Sequence, residues 1–439
     1  SPILTATLLG GSVTTTFLLL ASLFPNRFLR LLFQFKVLGD VSLRYYMAES
    51  LRLGGTLLAP LNLLVLLWCS GLTLVRRRRL TPYLFVLAPL APFVAWQIII
   101  LGMRPSTGGI TNILSQQWIP LILVTTLVSN LSTKDVRSIL HGTQILVAIM
   151  LTTVFTEWLV GWPAPVTAFD ADVAWFQGRT IRFGGIWGMR SKGAEGWAEV
   201  SYIISLSALL LNRDKTNNLL HIINIAFCGF AISLTGSKTP IAVLLISSIF
   251  IILLARNAIR GLVLSAFIVM TVAGLLFAGA FDGTLERFKA EQVRLEENTT
   301  RDGLGTGRVG TWSAALHNWR SDGTITILFG GGPLSSTEFV NAGDRLGFEK
   351  NHGIHSQHLL ILVEFGIVGF AFYIMFWIGL IRMLRKPDTF DANDTFAQLV
   401  AAGVMTGLLV RGMTADILNA VYYTWYLAIP IALLTKRRI

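Results

Sequence analysis

The chain has 439 residues, of which 53% are hydrophobic and only 14% are charged, and its formal net charge is +12. A soluble globular chain of this length needs far more polar surface, so the composition excludes that class of protein. It indicates instead a chain that crosses a lipid bilayer several times.

Apolar stretches long enough to span a membrane occur along the whole chain. They fall near 2–24, 53–75, 81–103, 110–130, 138–161, 196–211, 218–236, 239–255, 261–281, 356–381, 395–411 and 418–435. Because lipid offers no hydrogen-bond partner to backbone groups, such stretches predict α-helices. The predicted fold class is an all-α integral membrane protein with about 12 transmembrane helices, forming a single membrane domain over 1–439.

The short connectors predict the orientation of these helices. Alternate connectors carry basic residues, at 76–79, 134–137, 213–215, 256–260, 382–386 and 436–438. By the positive-inside rule, these connectors and both termini lie in the cytoplasm. The longer segments 25–52, 162–195 and 282–355 then lie outside, and 282–355 is the large periplasmic loop.

The outer side of this predicted topology is also basic. Lys238 and Arg411 each stand at the end of an apolar helix, where a cation is costly unless it meets water or an anion. A basic outer cavity indicates a phosphate-bearing, lipid-linked ligand, and nucleic acid is not expected on that side of a membrane. Cys69 and Cys228 both lie within apolar runs and are predicted to be buried thiols.

The loop 282–355 contains a second helical pattern. Trp312, Leu316 and Trp319 follow Arg308 at helical spacing and form one apolar stripe. This helix either lies along the membrane interface or packs on the bundle, and the sequence favours neither. Arg308 is expected in its first turn, beside backbone N–H groups that favour anions.

Further along the loop, Gly330–Gly332 permits a close approach of the backbone. His352, His355 and His358 then precede or open the next apolar helix. Their spacing is not a recognised metal-binding pattern, and a metal site is the less favoured alternative. A neutral imidazole is the commonest general base, so one of the three is a catalytic candidate.

These motifs resemble the superfamily of O-antigen ligases and O-antigen polymerases. That family shows an Arg with a downstream Trp, a glycine element, and a histidine nine positions before a Glu that opens an E-x-G-x-x-G pattern. The matching residues are Arg308, Trp312, Gly330–Gly332, His355, Leu360, Glu364, Gly366 and Gly369. Ser356 stands where the family usually has Asn.

Two upstream segments extend the resemblance over roughly 180–380. Leu234–Lys238 is similar to the family's L-T-x-S-R, with Lys238 in place of Arg, which keeps the charge but loses the bidentate fork. Arg182 with Gly184 and Gly185 resembles the family's R-x-x-G.

The resemblance implies an inverting, metal-independent glycosyltransferase of GT-C-like architecture, without a cofactor, in the bacterial inner membrane. Its donor would be a polysaccharide on undecaprenyl pyrophosphate, and a ligase transfers it to a sugar hydroxyl of lipid A–core at the periplasmic face. His355 would be the general base, and Glu199 and Asp416 would orient it or bind sugar, unless they serve as structural ion pairs. The cations expected to contact the pyrophosphate are Arg308, Lys238, Arg182, Arg190 and Arg411.

Three rival functions remain open. A polymerase and a protein O-oligosaccharyltransferase share these motifs, and ligase is favoured because no large soluble domain follows the last apolar stretch. A transporter of a lipid-linked anion belongs to a different class, and predicts charges deep in several helices and paired halves. Glu364 is the main such charge. The sugars, the oligomeric state and the role of the first 180 residues are left open.

Overall fold

The structure of the protein is a computed structural model. It describes residues 88–106, 133–160, 192–211, 218–235, 237–255, 258–277, 308–341, 354–384 and 392–414, with a few isolated positions between them. Regular elements in these ranges are all α-helices. In chain order they are α1 (Ala91–Met103), α2 (Thr133–Val160), α3 (Lys192–Leu211), α4 (Asn218–Leu234), α5 (Lys238–Ala255), α6 (Ala258–Phe277), α7 (Arg308–Ser321), α8 (Thr324–Phe329), α9 (Ser335–Asn341), α10 (Gln357–Leu384) and α11 (Ala392–Gly412).

These helices agree with the predicted apolar stretches that fall in the described ranges. Among the described residues, four helical segments are long and apolar enough to cross a membrane: Ser138–Val160, Lys238–Ala255, Gln357–Arg382 and Thr395–Gly412. α1 and α4 are shorter apolar helices. The structure thus supports a helical membrane protein, while the predicted spans at 2–24, 53–75, 110–130 and 418–435 lie outside the described residues.

α5 packs closely against α11, and small residues permit this approach. A Cβ atom at Gly403 would lie 2.5 Å from Ile251, and one at Gly407 would lie 3.0 Å from Val243. The Ser247 hydroxyl donates to the carbonyl of Gly403 at 3.1 Å. Between membrane helices, close packing and such hydrogen bonds replace the hydrophobic effect as the source of association.

A buried polar network joins α2, α3 and α4. Gln144 donates to the Ser205 hydroxyl at 2.9 Å, and Asn224 donates to the hydroxyls of Ser201 and Ser205 at 3.0 and 2.8 Å. Because these groups lie in an apolar interior, leaving them unpaired would be costly. The network therefore fixes how the three helices pack.

The basic residues that are described at one end of the bundle fit the predicted topology. Arg260, at the start of α6, donates to the Leu210 carbonyl at the end of α3 at 3.3 Å. Gln398 in α11 donates to the Leu384 carbonyl at the end of α10. An ion pair joins the end of α11 to the start of α3, so the start of α11 lies beside the end of α3. Arg260 and Arg382 therefore lie towards the same end, and the side of the membrane that this end faces stays a prediction.

The three short helices α7, α8 and α9 form a unit within the predicted loop. Ala315, Trp319, Val340, Ile354 and Val363 form its small core, and Val363 belongs to α10. The predicted stripe of α7 packs into this core, where Trp319 is only 4% exposed. The stripe therefore packs against protein, and the position of α7 along the membrane interface stays a prediction.

Candidate active site

The start of α10 and the end of α11 are joined by two side chains. The Ser356 hydroxyl donates to the Gly412 carbonyl at 3.4 Å, and His358 Nε2 donates to the Leu409 carbonyl at 3.1 Å. His355 lies one residue before Ser356, so these contacts hold it at this end of the bundle.

Lys238 is brought to the same end by the start of α5. It is the first residue of that helix, and the next residue, Thr239, shares a hydrogen bond of 2.8 Å with Thr414, just beyond α11. Lys238 is half-buried. A cation in the first turn of an apolar helix, at the positive end of the helix dipole, makes this position favourable for an anion.

Arg308 arrives from the extramembrane unit. It is the first residue of α7, as predicted, and Trp312 lies one turn later. The Trp312 indole N–H donates to the carbonyl of Ile354 at 2.7 Å. Because Ile354 directly precedes His355, this bond places the start of α7 beside the candidate base.

The structure separates the histidines by their surroundings. His358 Nε2 donates to the carbonyl of Leu409, so its Nδ1 accepts the Tyr373 hydroxyl at 3.2 Å. Both ring nitrogens of His358 are therefore committed, and its tautomer is fixed. His355 is exposed, precedes α10 and has a φ of 48°. His352 lies outside the described residues.

Arg411 is buried rather than open to a ligand. Its guanidinium pairs with Glu195 at 3.2 Å and with Glu199, both in the first turns of α3, and it is 2% exposed. Paired burial of this kind is what allows charges to leave water. The contact that the structure gives Glu199 is thus an ion pair. A direct role of Arg411 in phosphate binding and an orienting role of Glu199 stay predictions.

The remaining predicted site residues are not described. Arg182, Arg190 and Asp416 lie outside the described ranges. Among the described residues, no group of three or more His, Cys, Asp or Glu side chains could hold a metal ion. Metal independence stays a prediction, which a chelation experiment can test.

Next to the site, α10 is broken at Gly366, which has φ 70° and ψ −175°. The carbonyls of residues 363–365 stand just before this break, and each receives a donor from outside the helix. The N–H groups of Gly331 and Gly332 donate to the carbonyls of Val363 and Glu364 at 2.9 and 3.0 Å. The Trp96 indole N–H donates to the carbonyl of Phe365 at 2.9 Å. The break is therefore satisfied by tertiary contacts, as an apolar environment demands.

The glycine run and Glu364 belong to one architectural unit. Gly330 and Gly332 have φ values of 89° and 98°, as predicted for a close approach. The Ser336 hydroxyl donates to Glu364 Oε1 at 2.6 Å. Glu364, the main charge that fits a transporter, thus anchors α9 on α10.

Sequence reasoning missed several supporting residues. Arg104, after α1, donates to the Gly331 carbonyl at 2.7 Å and to the Thr326 hydroxyl at 3.4 Å. No sequence pattern marked it. Glu195 could have been found, because it stands four residues before Glu199 on the same helical face.

Residues 223–374 match the family model described as O-Antigen ligase. The match confirms the resemblance to the O-antigen ligase superfamily that the motifs indicated. The matched segment contains Lys238, Arg308 and His355, together with the glycine run and the broken part of α10. Arg411 and Glu199 lie beyond it. A search of curated proteins found no match to this chain.

Proposed function

We propose that this chain, whose residues 223–374 carry the O-antigen ligase domain, is the ligase itself. It transfers O-antigen polysaccharide from undecaprenyl pyrophosphate to a sugar hydroxyl of lipid A–core. The family match supports an enzyme of the O-antigen ligase and polymerase type. The active end of the bundle faces the periplasm in this proposal, with both termini in the cytoplasm of the inner membrane.

The proposed reaction is a single displacement at the anomeric carbon of the donor. The acceptor oxygen forms the new glycosidic bond while the bond from carbon to pyrophosphate oxygen breaks, so the configuration inverts. His355 takes the proton of the acceptor hydroxyl, and the electron pair leaves with the pyrophosphate. Lys238 and Arg308 stabilise the charge of the departing pyrophosphate, a role for which Arg182 and Arg190 are also proposed.

The observation that carries this proposal is the different environment of two nearby histidines. His358 is tied through both nitrogens, whereas His355 is exposed beside the start of α7. A general base needs a ring nitrogen within reach of the substrate hydroxyl. Of these two, His355 has the exposed side chain, so a substrate hydroxyl can reach its ring.

Arg411 has a different role in this proposal. Its pairs with Glu195 and Glu199 tie the end of α11 to the start of α3, and the same end of α11 supplies the carbonyls that hold Ser356 and His358. We assign Arg411 as a positioning residue that acts through α11. Its guanidinium already pairs with two protein carboxylates.

The decisive experiment is the lipopolysaccharide pattern of a strain that lacks this gene. Loss of all long-chain bands, together with accumulation of lipid-linked polymer, is the result expected for a ligase. Core bearing a single repeat unit would identify a polymerase instead. Normal lipopolysaccharide with unglycosylated secreted proteins would identify a protein O-oligosaccharyltransferase.

A further inference from the structure

An exposed apolar surface on α8 and the turn after it plays no part in the proposed chemistry. Ile325 is 66% exposed, Leu328 is 39% exposed and Leu334 is 36% exposed. Ile325 and Leu328 are three residues apart on one helix, so they share a face. This surface belongs to the unit of α7, α8 and α9, which packs against α10.

The depth of this unit follows from its contact with α10. Along α10, the rise from Gly366 to Arg382 is about 24 Å at about 1.5 Å per residue. A charged Arg382 belongs at or beyond the far boundary of a hydrocarbon layer that is about 30 Å thick. With the Cα atom of Arg382 at that boundary, Gly366 lies about 6 Å inside the near boundary, and any tilt of the helix places it deeper.

α8 lies at the same depth as this break. The carbonyl of Leu328 and the N–H of Gly330 occupy the space where Gly366 would carry a Cβ atom. Irregular backbone is tolerated inside a bilayer only where its polar groups are satisfied by protein. The glycine run meets this condition, because its N–H groups at Gly331 and Gly332 pair with α10 carbonyls.

The other side of α8 is polar. Arg104 donates to the Thr326 hydroxyl at 3.4 Å, and this hydroxyl donates to Asp322 Oδ2 at 2.6 Å. Arg104 and Asp322 are both exposed. Exposed charges next to an apolar face are the arrangement of a segment that lies where headgroups meet acyl chains.

The backbone at Leu334 points to the same environment. It has a φ of 72°, a conformation that glycine adopts without strain and that a branched residue such as leucine rarely adopts. The strained residue presents an exposed apolar side chain. Exposure to water gives that side chain no stabilisation, whereas contact with acyl chains does.

We propose that Thr324–Leu334 is a re-entrant membrane element, with Ile325, Leu328 and Leu334 in contact with the acyl chains of the adjacent leaflet. The apolar surfaces of the two neighbouring helices support this occupant. Ile367, directly after the break in α10, is 47% exposed, and Met103 at the end of α1 is 61% exposed. The inference does not depend on the glycosyltransferase reaction.

Site-directed nitroxide labels in liposomes test the proposal. In a Cys69→Ala, Cys228→Ser background, single cysteines replace Ile325, Leu328 or Leu334, and His317→Cys on the exposed face of α7 is the matched control. The probes are molecular oxygen, which concentrates in acyl chains, and a nickel chelate that stays in water. We expect the ratio of oxygen to nickel accessibility to be at least several-fold higher at the three test positions than at 317.

A label at 325 or 328 that resembles the label at 317 would place this surface in water and overturn the proposal. Shielding from both probes would show that protein covers the surface, which also overturns it. Each labelled protein is first checked for an unchanged melting temperature. Quenching of bimane on the same cysteines by brominated acyl chains provides a second measurement, and absence of quenching at all three positions would contradict the proposal.

Discussion

His355 and His358 lie three positions apart in the chain, and their substitution is expected to have different effects. A change at His355 should lower the transfer activity, and a change at His358 should lower the stability of the fold. His355→Asn removes the base while keeping a residue that tolerates the positive φ of 48° at this position. We expect transfer to fall by a factor on the order of 10² or more, which is the usual effect of losing a positioned base. That factor corresponds to about 2.7 kcal/mol of activation free energy.

The magnitude for His358 comes from its two hydrogen bonds. His358→Ala removes a hydrogen-bond partner from the Leu409 carbonyl and from the Tyr373 hydroxyl. Leu409 is half-buried and Tyr373 is buried. An unsatisfied buried group costs about 1–3 kcal/mol, so the free energy of unfolding should fall by about 2–5 kcal/mol once the cavity is included. Substitution of the exposed His355 should change it by less than about 0.5 kcal/mol.

The transfer activity and the stability of each variant can be measured on purified protein in proteoliposomes. The assay follows transfer from lipid-linked polymer to lipid A–core at equal amounts of folded protein, and a thermal melt reports stability. Added imidazole should partly restore His355→Gly and should not restore His358→Ala. A fully active His355→Asn would show that the base is elsewhere, and a stable but inactive His358→Ala would make His358 the better candidate.

The other site residues give further tests. Arg308→Ala should lower transfer about 10²- to 10³-fold with little change in melting temperature, the effect of removing one preorganised donor. Lys238→Arg should keep activity and Lys238→Ala should lose it; full activity of the Ala variant would remove this cation from the site. Arg411→Gln should destabilise the fold by about 3–5 kcal/mol, because two buried carboxylates lose their cation. A stable Arg411→Gln with a raised donor KM would instead indicate direct phosphate contact. Transfer should survive EDTA, and restoration by magnesium after loss would contradict the metal-free mechanism.

The sequence predicted most of what depends on local pattern. Apolar runs located most of the described helices within a few residues, and α10 begins at Gln357, one residue after the predicted start. The exception is α1, which begins at Ala91 although the apolar run begins near 81. Motif spacing selected His355, and the structure supplies the physical contrast with His358. The glycine run was predicted to allow a close approach, and the φ values at Gly330 and Gly332 agree.

Features that depend on distant partners could not be predicted in this way. Arg411 was visible as a cation at a helix end, but its two carboxylate partners lie 216 and 212 residues away in the chain. The break at Gly366 is equally hidden, because an apolar sequence predicts a continuous helix. The break is held by donors from α1 and the glycine turn, and only the tertiary structure brings these together.

The motif that suggested the family therefore combines chemistry with architecture. Its second half, from Glu364 to Gly369, makes structural contacts. Glu364 accepts the Ser336 hydroxyl, and a Cβ atom at Gly369 would lie 2.8 Å from the Trp96 ring. Substitutions at these positions should reduce activity by disturbing the fold, whereas substitutions at His355 should reduce it in intact protein. An activity measurement that ignores the amount of folded protein cannot distinguish these two kinds of substitution. A stability measurement distinguishes them, because it separates residues that act on the substrate from residues that hold the site in place.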